Sequence, residues 1–145
     1  MDYSKEKNRI RPFWKAKREK LFSNVSDHDN ETFLKNFISI SGNLKGKVIA
    51  GYNPMGSEVN CLEILRYSIS KGALTCLPYV NEKKIIEFRE WIDGDNLKLD
   101  YSNILAPCKD NILMPNIILI PLLCFDNNGT RLGMGGGIYD RTLPF

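Results

Sequence analysis

The chain has 145 residues, 43% of them apolar and 26% charged, ordinary values for one soluble globular domain that can bury a core. No apolar run approaches the ~20 residues a membrane-spanning helix needs. The amino terminus, MDYSKEKNRIRPFW, has no apolar signal-peptide stretch, so a cytoplasmic protein without a membrane partner is expected. The net charge of +3 is unevenly spread: residues 5 to 20 carry +6 and the remainder −3. A basic segment of this kind can meet a polyanionic ligand or simply water. The excess is modest and no RNA- or DNA-binding motif accompanies it, which argues against nucleic acid.

Residues 4 to 22 have helical periodicity, with Ile10, Phe13, Trp14 and Leu21 near a 3.6-residue repeat. Pro12 leaves two readings, a helix from Ser4 kinked at Pro12 or a helix starting near Arg11 with Pro12 in its first turn. SDHDN offers capping residues ahead of a second helix that presents Phe33, Phe37 and Ile40. VIAGY then has strand character, NPMGS turn character, and Glu58 to Ser70 the pattern of a helix closed by Gly72. ALTCLPYV and KKIIEFREW are two more strands, the second followed by the turn DGDN. A polar loop follows Pro107, and NIILIPLL, the most apolar run, is expected as a buried central strand. This alternation predicts an α/β domain with a largely parallel sheet.

The four cysteines, Cys61, Cys76, Cys108 and Cys124, form no CxxC pair, and His28 is the single histidine. Structural zinc and a disulfide framework are therefore not expected, and the thiols should be reduced. His28 in its polar loop reads as solvated, and Trp14 and Trp91 as packing residues.

The richest stretch is RLGMGGGIYDR, residues 131 to 141. Glycines permit positive φ and close backbone approach, and successive N–H groups can form an anion-binding concavity. Arg131 and Arg141 could neutralise phosphate, and Asp140 could ligate Mg²⁺. The stretch is neither a P-loop nor the dinucleotide fingerprint, since Ile138 stands where GxGxxG needs its third glycine. The residues alone leave open a hairpin or helix entry without a ligand.

FDNNGTRLGMGGGIYDR closely resembles the nucleotide-binding signature of the 5-formyltetrahydrofolate cyclo-ligases, also called methenyltetrahydrofolate synthetases. That pattern reads FD-x-x-G-x-RLG-x-G-G/A-G-Y-YDR, and only its first tyrosine is replaced, by Ile138. KNRIRPFWKAKR is similar to the family's amino-terminal K-x-x-x-R-x-x-x-K-x-x-R, and SEVNCLEIL to its E-V-x-T-x-x-I/L segment. The resemblance implies a three-layer α/β sandwich, its largely parallel sheet flanked by helices, as a single domain over residues 1–145. Family members continue past YDR with a helix and further strands, so it also implies a C-terminally truncated form.

The implied activity is ATP- and Mg²⁺-dependent conversion of 5-formyltetrahydrofolate to 5,10-methenyltetrahydrofolate, with release of ADP and phosphate, by a monomer acting on small molecules. The alternative is an inactive homologue that at most binds nucleotide or folate. On matching positions, the resemblance implies ATP contacts from Lys7, Arg11, Arg131, Leu132, Gly133, Met134, Gly135, Gly136, Gly137, Ile138 and Tyr139. Asn53, Glu58, Met134, Gly135, Gly136, Gly137 and Ile138 are implied at the folate, and Asp140 at the metal. No catalytic residue is implied beyond the groups that position phosphate. Glu58 has a plainer reading, a favourable first-turn acid. Cys61 departs from the family's threonine, Tyr79 from a basic residue that often follows Leu-Pro, and Ala106-Pro107 from a common Glu-Pro. Pro12 could separate Lys7 from Arg11.

Overall fold

The computed structural model describes residues 4–143; residues 1–3 and 144–145 of the expected domain lie outside the described residues. Helix α1 runs from Ser4 to Phe22 with Pro12 inside it, which settles the choice between the two amino-terminal readings. Helix α2, Asp27–Ser41, starts at a capping box: the Ser26 Oγ accepts from the Asp29 N–H at 3.3 Å, and the Asp29 carboxylate accepts from the Ser26 N–H at 2.9 Å. His28 is exposed in the first turn of α2 rather than in a loop.

Strand β1 (Val48–Ala50), helix α3 (Leu62–Ser70) and strand β2 (Leu74–Val80) form a βαβ unit with β1 and β2 parallel. Helix α3 begins four residues later than its periodicity predicts. Gly56 takes φ +56°, and the Glu58 N–H reaches back to the Met55 carbonyl at 3.1 Å, so residues 55–58 close a turn instead. Glu58 thus stands outside α3, and Glu63 supplies its first-turn acid. At the other end Gly72, φ +81°, donates to the Ile69 carbonyl while Ala73 donates to that of Ser68. This Schellman pattern satisfies the last carbonyls and turns the chain into β2.

Strand β3 (Ile86–Glu90) pairs antiparallel with β2, and strands β4 (Leu97–Leu99) and β5 (Leu105–Pro107) form a separate hairpin. Strand β6 (Ile117–Ile118) pairs parallel with β1, completing a sheet of order β3-β2-β1-β6. The expected buried central strand is therefore corrected: β1 and β2 are central, and among the described residues β6 is a short edge strand. Pro121 cannot donate to a ladder, and residues 117–122 are all only half-buried. The apolarity of this run serves the wall of a cleft, where Ile120 and Pro121 lie. A two-stranded hairpin, β7 (Cys124–Phe125) with β8 (Arg131–Leu132), follows. The chain then enters the short helix α4, Ile138–Thr142.

Alternation along the strands gives the sheet two buried faces. Ile49 and Leu77 pack with Phe37, Ile64, Leu65 and Trp91 beneath α2 and α3. Ala50, Cys76 and Val80 pack with Ile86 and Phe88 on the other face, against which Ile138, Tyr139 and Leu143 of the α4 segment rest. The result is an α/β layered fold around a mixed, mainly parallel sheet. A Cβ on Gly51 would lie 2.8 Å from Leu65 Cδ1, so the absence of a side chain there lets α3 approach β1. Trp91 is core, as expected, and Trp14 is half-buried on α1, with the Lys17 ammonium 4.7 Å from its ring centroid.

Candidate functional site

On the second face of the sheet lies a cleft of about 610 Å³, bounded by α1, the loop before α3, the β4–β5 hairpin and the glycine-rich turn. Every residue singled out from sequence as a binding or metal position borders it except Leu132, which is buried within β8. Lys7, Arg11, Arg131, Asn53, Glu58, Gly133 through Ile138, Tyr139 and Asp140 are thereby brought together from opposite ends of the chain. Lys15 and Arg18 also line it, as do Tyr52, Ser57 and Asp100. The first two are the remaining basic positions of the K-x-x-x-R-x-x-x-K-x-x-R pattern that holds Lys7 and Arg11, and that pattern was the available signal for them. Tyr52, Ser57 and Asp100 carried no such signal.

Helix α1 reaches the cleft through its arginines. The Arg11 Nε donates to the Gly133 carbonyl at 3.0 Å, and its Nη1 donates to Asn8 Oδ1. Arg18 donates from Nε to Ser57 Oγ at 2.9 Å and from Nη1 to the Leu122 carbonyl at 3.0 Å. Pro12 therefore does not part Lys7 from Arg11, since both face the same cleft. Lys7 and Lys15 make no hydrogen bond or ion pair within the described residues, so their ammonium groups are available to an anion.

The glycine turn owes its shape to residues that tolerate positive φ. Gly135 has φ +103°, and a Cβ there would come 3.3 Å from the Arg11 guanidinium carbon. Gly137, at φ +60°, starts α4. The turn is a helix entry following a hairpin, in which Asp126 accepts from the Asn128 and Thr130 N–H groups at 2.9 Å each.

Pro78, Val80, Ile86, Ile104, Ile120 and Ile138 supply the apolar lining of the same cleft. Glu58 also borders it, with Oε2 accepting from the Met55 N–H at 2.9 Å and Oε1 left without a protein partner among the described residues. Behind Glu58, the Cys61 thiol donates to the Tyr52 carbonyl at 3.2 Å, and burial raises it to about 11. The family's threonine position is thus filled by another small donor. Tyr79 points away from the cleft, its ring under the Arg89 guanidinium at 3.4 Å from the centroid. Tyr52 donates to the Val59 carbonyl at 2.8 Å, whereas the buried Tyr139 hydroxyl has no hydrogen-bond partner among the described residues.

The metal prediction can be tested on the donor set. Among the described residues no three Asp, Glu, His or Cys side chains converge. Asp140 is an exposed carboxylate held by Arg131 at 2.5 Å. One carboxylate at a basic rim fits Mg²⁺ carried by a nucleotide's phosphates, the usual mode for this ion, and not a protein cage.

Residues 3–145 match the model of the 5-formyltetrahydrofolate cyclo-ligase family. A 5-formyltetrahydrofolate cyclo-ligase of Mycolicibacterium smegmatis is 28% identical over 109 residues, covering 69% of this chain and 56% of that protein. One of Haemophilus influenzae is 31% identical over 106 residues, covering 68% and 57%. The chain thus spans a little over half the length of these relatives. The NMR structure of Aquifex aeolicus 5,10-methenyltetrahydrofolate synthetase superposes with a TM-score of 0.69 at 24% identity, covering 91% of this chain and 71% of that one. The Mycoplasma pneumoniae 5,10-methenyltetrahydrofolate synthetase gives 0.66 at 22% identity, covering 97% and 76%. A family model that matches 143 of the 145 residues, with a fold shared with two solved synthetases, shows that this chain belongs to the 5-formyltetrahydrofolate cyclo-ligase family.

Proposed function

We propose that the chain binds ATP and 5-formyltetrahydrofolate side by side in this cleft and catalyses the family's cyclisation. The observation that carries the reading is one cleft lined by basic side chains and a glycine turn and also by apolar side chains and an available carboxylate. Lys7, Arg11 and Arg131 would neutralise the triphosphate, which the Gly133–Gly137 backbone would cradle. Asp140, released from Arg131, would share the Mg²⁺ that accompanies the nucleotide and offsets its phosphate charge. The apolar lining suits a flat ring system, and Glu58 Oε1 would accept hydrogen bonds from the ring's amino and N–H groups, with Asn53 beside it.

The formamide oxygen is a poor leaving group. Transfer of the γ-phosphoryl group to it releases ADP; N10 then attacks the formyl carbon, the N10 proton is lost, and inorganic phosphate departs. Protein catalysis consists of positioning and charge stabilisation of the transferring group. The test is methenyltetrahydrofolate formation by folded, purified protein given 5-formyltetrahydrofolate and Mg-ATP. Product formation that disappears in Arg11→Ala supports the reading. No product, with both ligands nevertheless bound, would favour the inactive binding homologue instead.

A further inference from the structure

Helix α1 is tied to two different segments of the cleft. Arg11 Nε donates to the Gly133 carbonyl of the glycine turn. About two helical turns further along, Arg18 donates from Nε to Ser57 Oγ at 2.9 Å and from Nη1 to the Leu122 carbonyl at 3.0 Å. The Arg11 contact bears on the nucleotide turn. The Arg18 contact falls on the residue next to Glu58.

Ser57 is buried, whereas the turn around it has little else to hold it. Met55 is exposed, and a Cβ on Gly56 would touch nothing within 4 Å. The turn's own bonds close within it: the Glu58 N–H donates to the Met55 carbonyl, and the Met55 N–H to Glu58 Oε2. Among the described residues, the Arg18 bond is therefore the hydrogen bond that fastens residues 55–58 to a distant part of the chain. Tyr52 holds the Val59 carbonyl just beyond. A carboxylate can meet ring N–H groups within the narrow distance and angle limits of a hydrogen bond only if its backbone is held in place. Arg18 borders the cleft as well, but its Nε and Nη1 are engaged by protein oxygens.

We infer that Arg18 is a positioning residue for the reduced folate: through Ser57 it holds the 55–58 turn so that Glu58 Oε1 is presented to the ring's N–H groups. Without that bond the ligand itself must order the turn, and affinity falls. This rests on the folate reading proposed above.

The test is a double-mutant cycle on the affinity of the full chain for 5-formyltetrahydrofolate, with wild type, Ser57→Ala, Arg18→Met and the double variant. Each single substitution is expected to weaken folate binding roughly three- to tenfold, the range of one hydrogen bond. The double variant should bind no more weakly than Arg18→Met alone, because both changes remove the same bond. Ser57→Ala keeps every charge in the cleft, so its affinity for a non-hydrolysable ATP analogue should stay within about twofold of wild type. Unchanged folate affinity in Ser57→Ala would overturn the inference, since that is the result if Arg18 touches the ligand directly or only clasps α1. Additive losses in the double variant, or equal weakening of both ligands by Ser57→Ala, would overturn it too. Absence of folate binding by wild type would instead overturn the functional reading and the inference with it.

Discussion

Two walls of the cleft are held in different ways. The sheet and α3 are fixed by buried apolar contact, with Ile49, Leu65 and Cys76 fully inaccessible and Leu77 nearly so. Helix α1 contributes nothing to either buried cluster, and its Phe13, Leu21 and Phe22 are exposed. It is fastened instead by Arg11 and Arg18, which reach the glycine turn, Ser57 and the Leu122 carbonyl. Apolar burial gives one wall its stability. Directed hydrogen bonds give the other a defined position with little buried area, so the cleft-lining groups of α1 can be displaced at far lower cost than the sheet.

The sharpest way to break this comparison is a core truncation. Leu65→Ala removes a side chain that is wholly buried against Gly51 and should cost about 2–5 kcal/mol. That lowers the melting temperature by roughly 6–15 °C.

High pH provides a second probe of the core. Burial raises Cys61 to about 11 and Cys76 to about 12, so their native forms stay protonated after the unfolded thiols have ionised near 9. The unfolded state then binds fewer protons than the native one, and stability falls as pH rises from 9 toward 11 and 12. The loss is roughly 1.4 kcal/mol per pH unit for each thiol. Thermal melts at pH 8, 9 and 10.5 should show this decline, and Cys76→Ala should show a shallower one.

On the other wall, Arg18→Met keeps the aliphatic stem but deletes both bonds of the clasp. Amide exchange in the second half of α1 should accelerate about tenfold or more, while the global melting temperature moves only slightly. A global loss as large as that of Leu65→Ala would mean that α1 is part of the cooperative core after all.

The smallest effect is expected at Ser26→Ala, which removes the capping box of α2 and should cost about 1 kcal/mol without changing nucleotide affinity.

The elements that sequence periodicity made legible are those whose signals are local. The α2 cap, the Gly72 stop, β2 and β3 rest on neighbouring residues, and they stand where those residues place them. Two short hairpins, β4–β5 and β7–β8, escaped notice because strands of two or three residues are too short to display alternation. The start of α3 was misplaced for a related reason. Glu58 fits a helical period, yet a backbone turn through Gly56 uses it first.

From the sequence alone came the chemistry of the candidate site: a glycine turn that only positive-φ residues can shape, the spacing of Lys7 and Arg11, and a family signature spread along the chain. Lateral order and convergence came only with tertiary structure. Apolarity reports that a run such as NIILIPLL avoids water. Whether it does so as a central strand or as a sheet edge lining a cleft depends on which neighbours arrive beside it. Arg11 and Gly133 are 122 residues apart, and nothing in either local pattern encodes their hydrogen bond. The sheet sets that distance by bringing both ends of the chain to one of its faces.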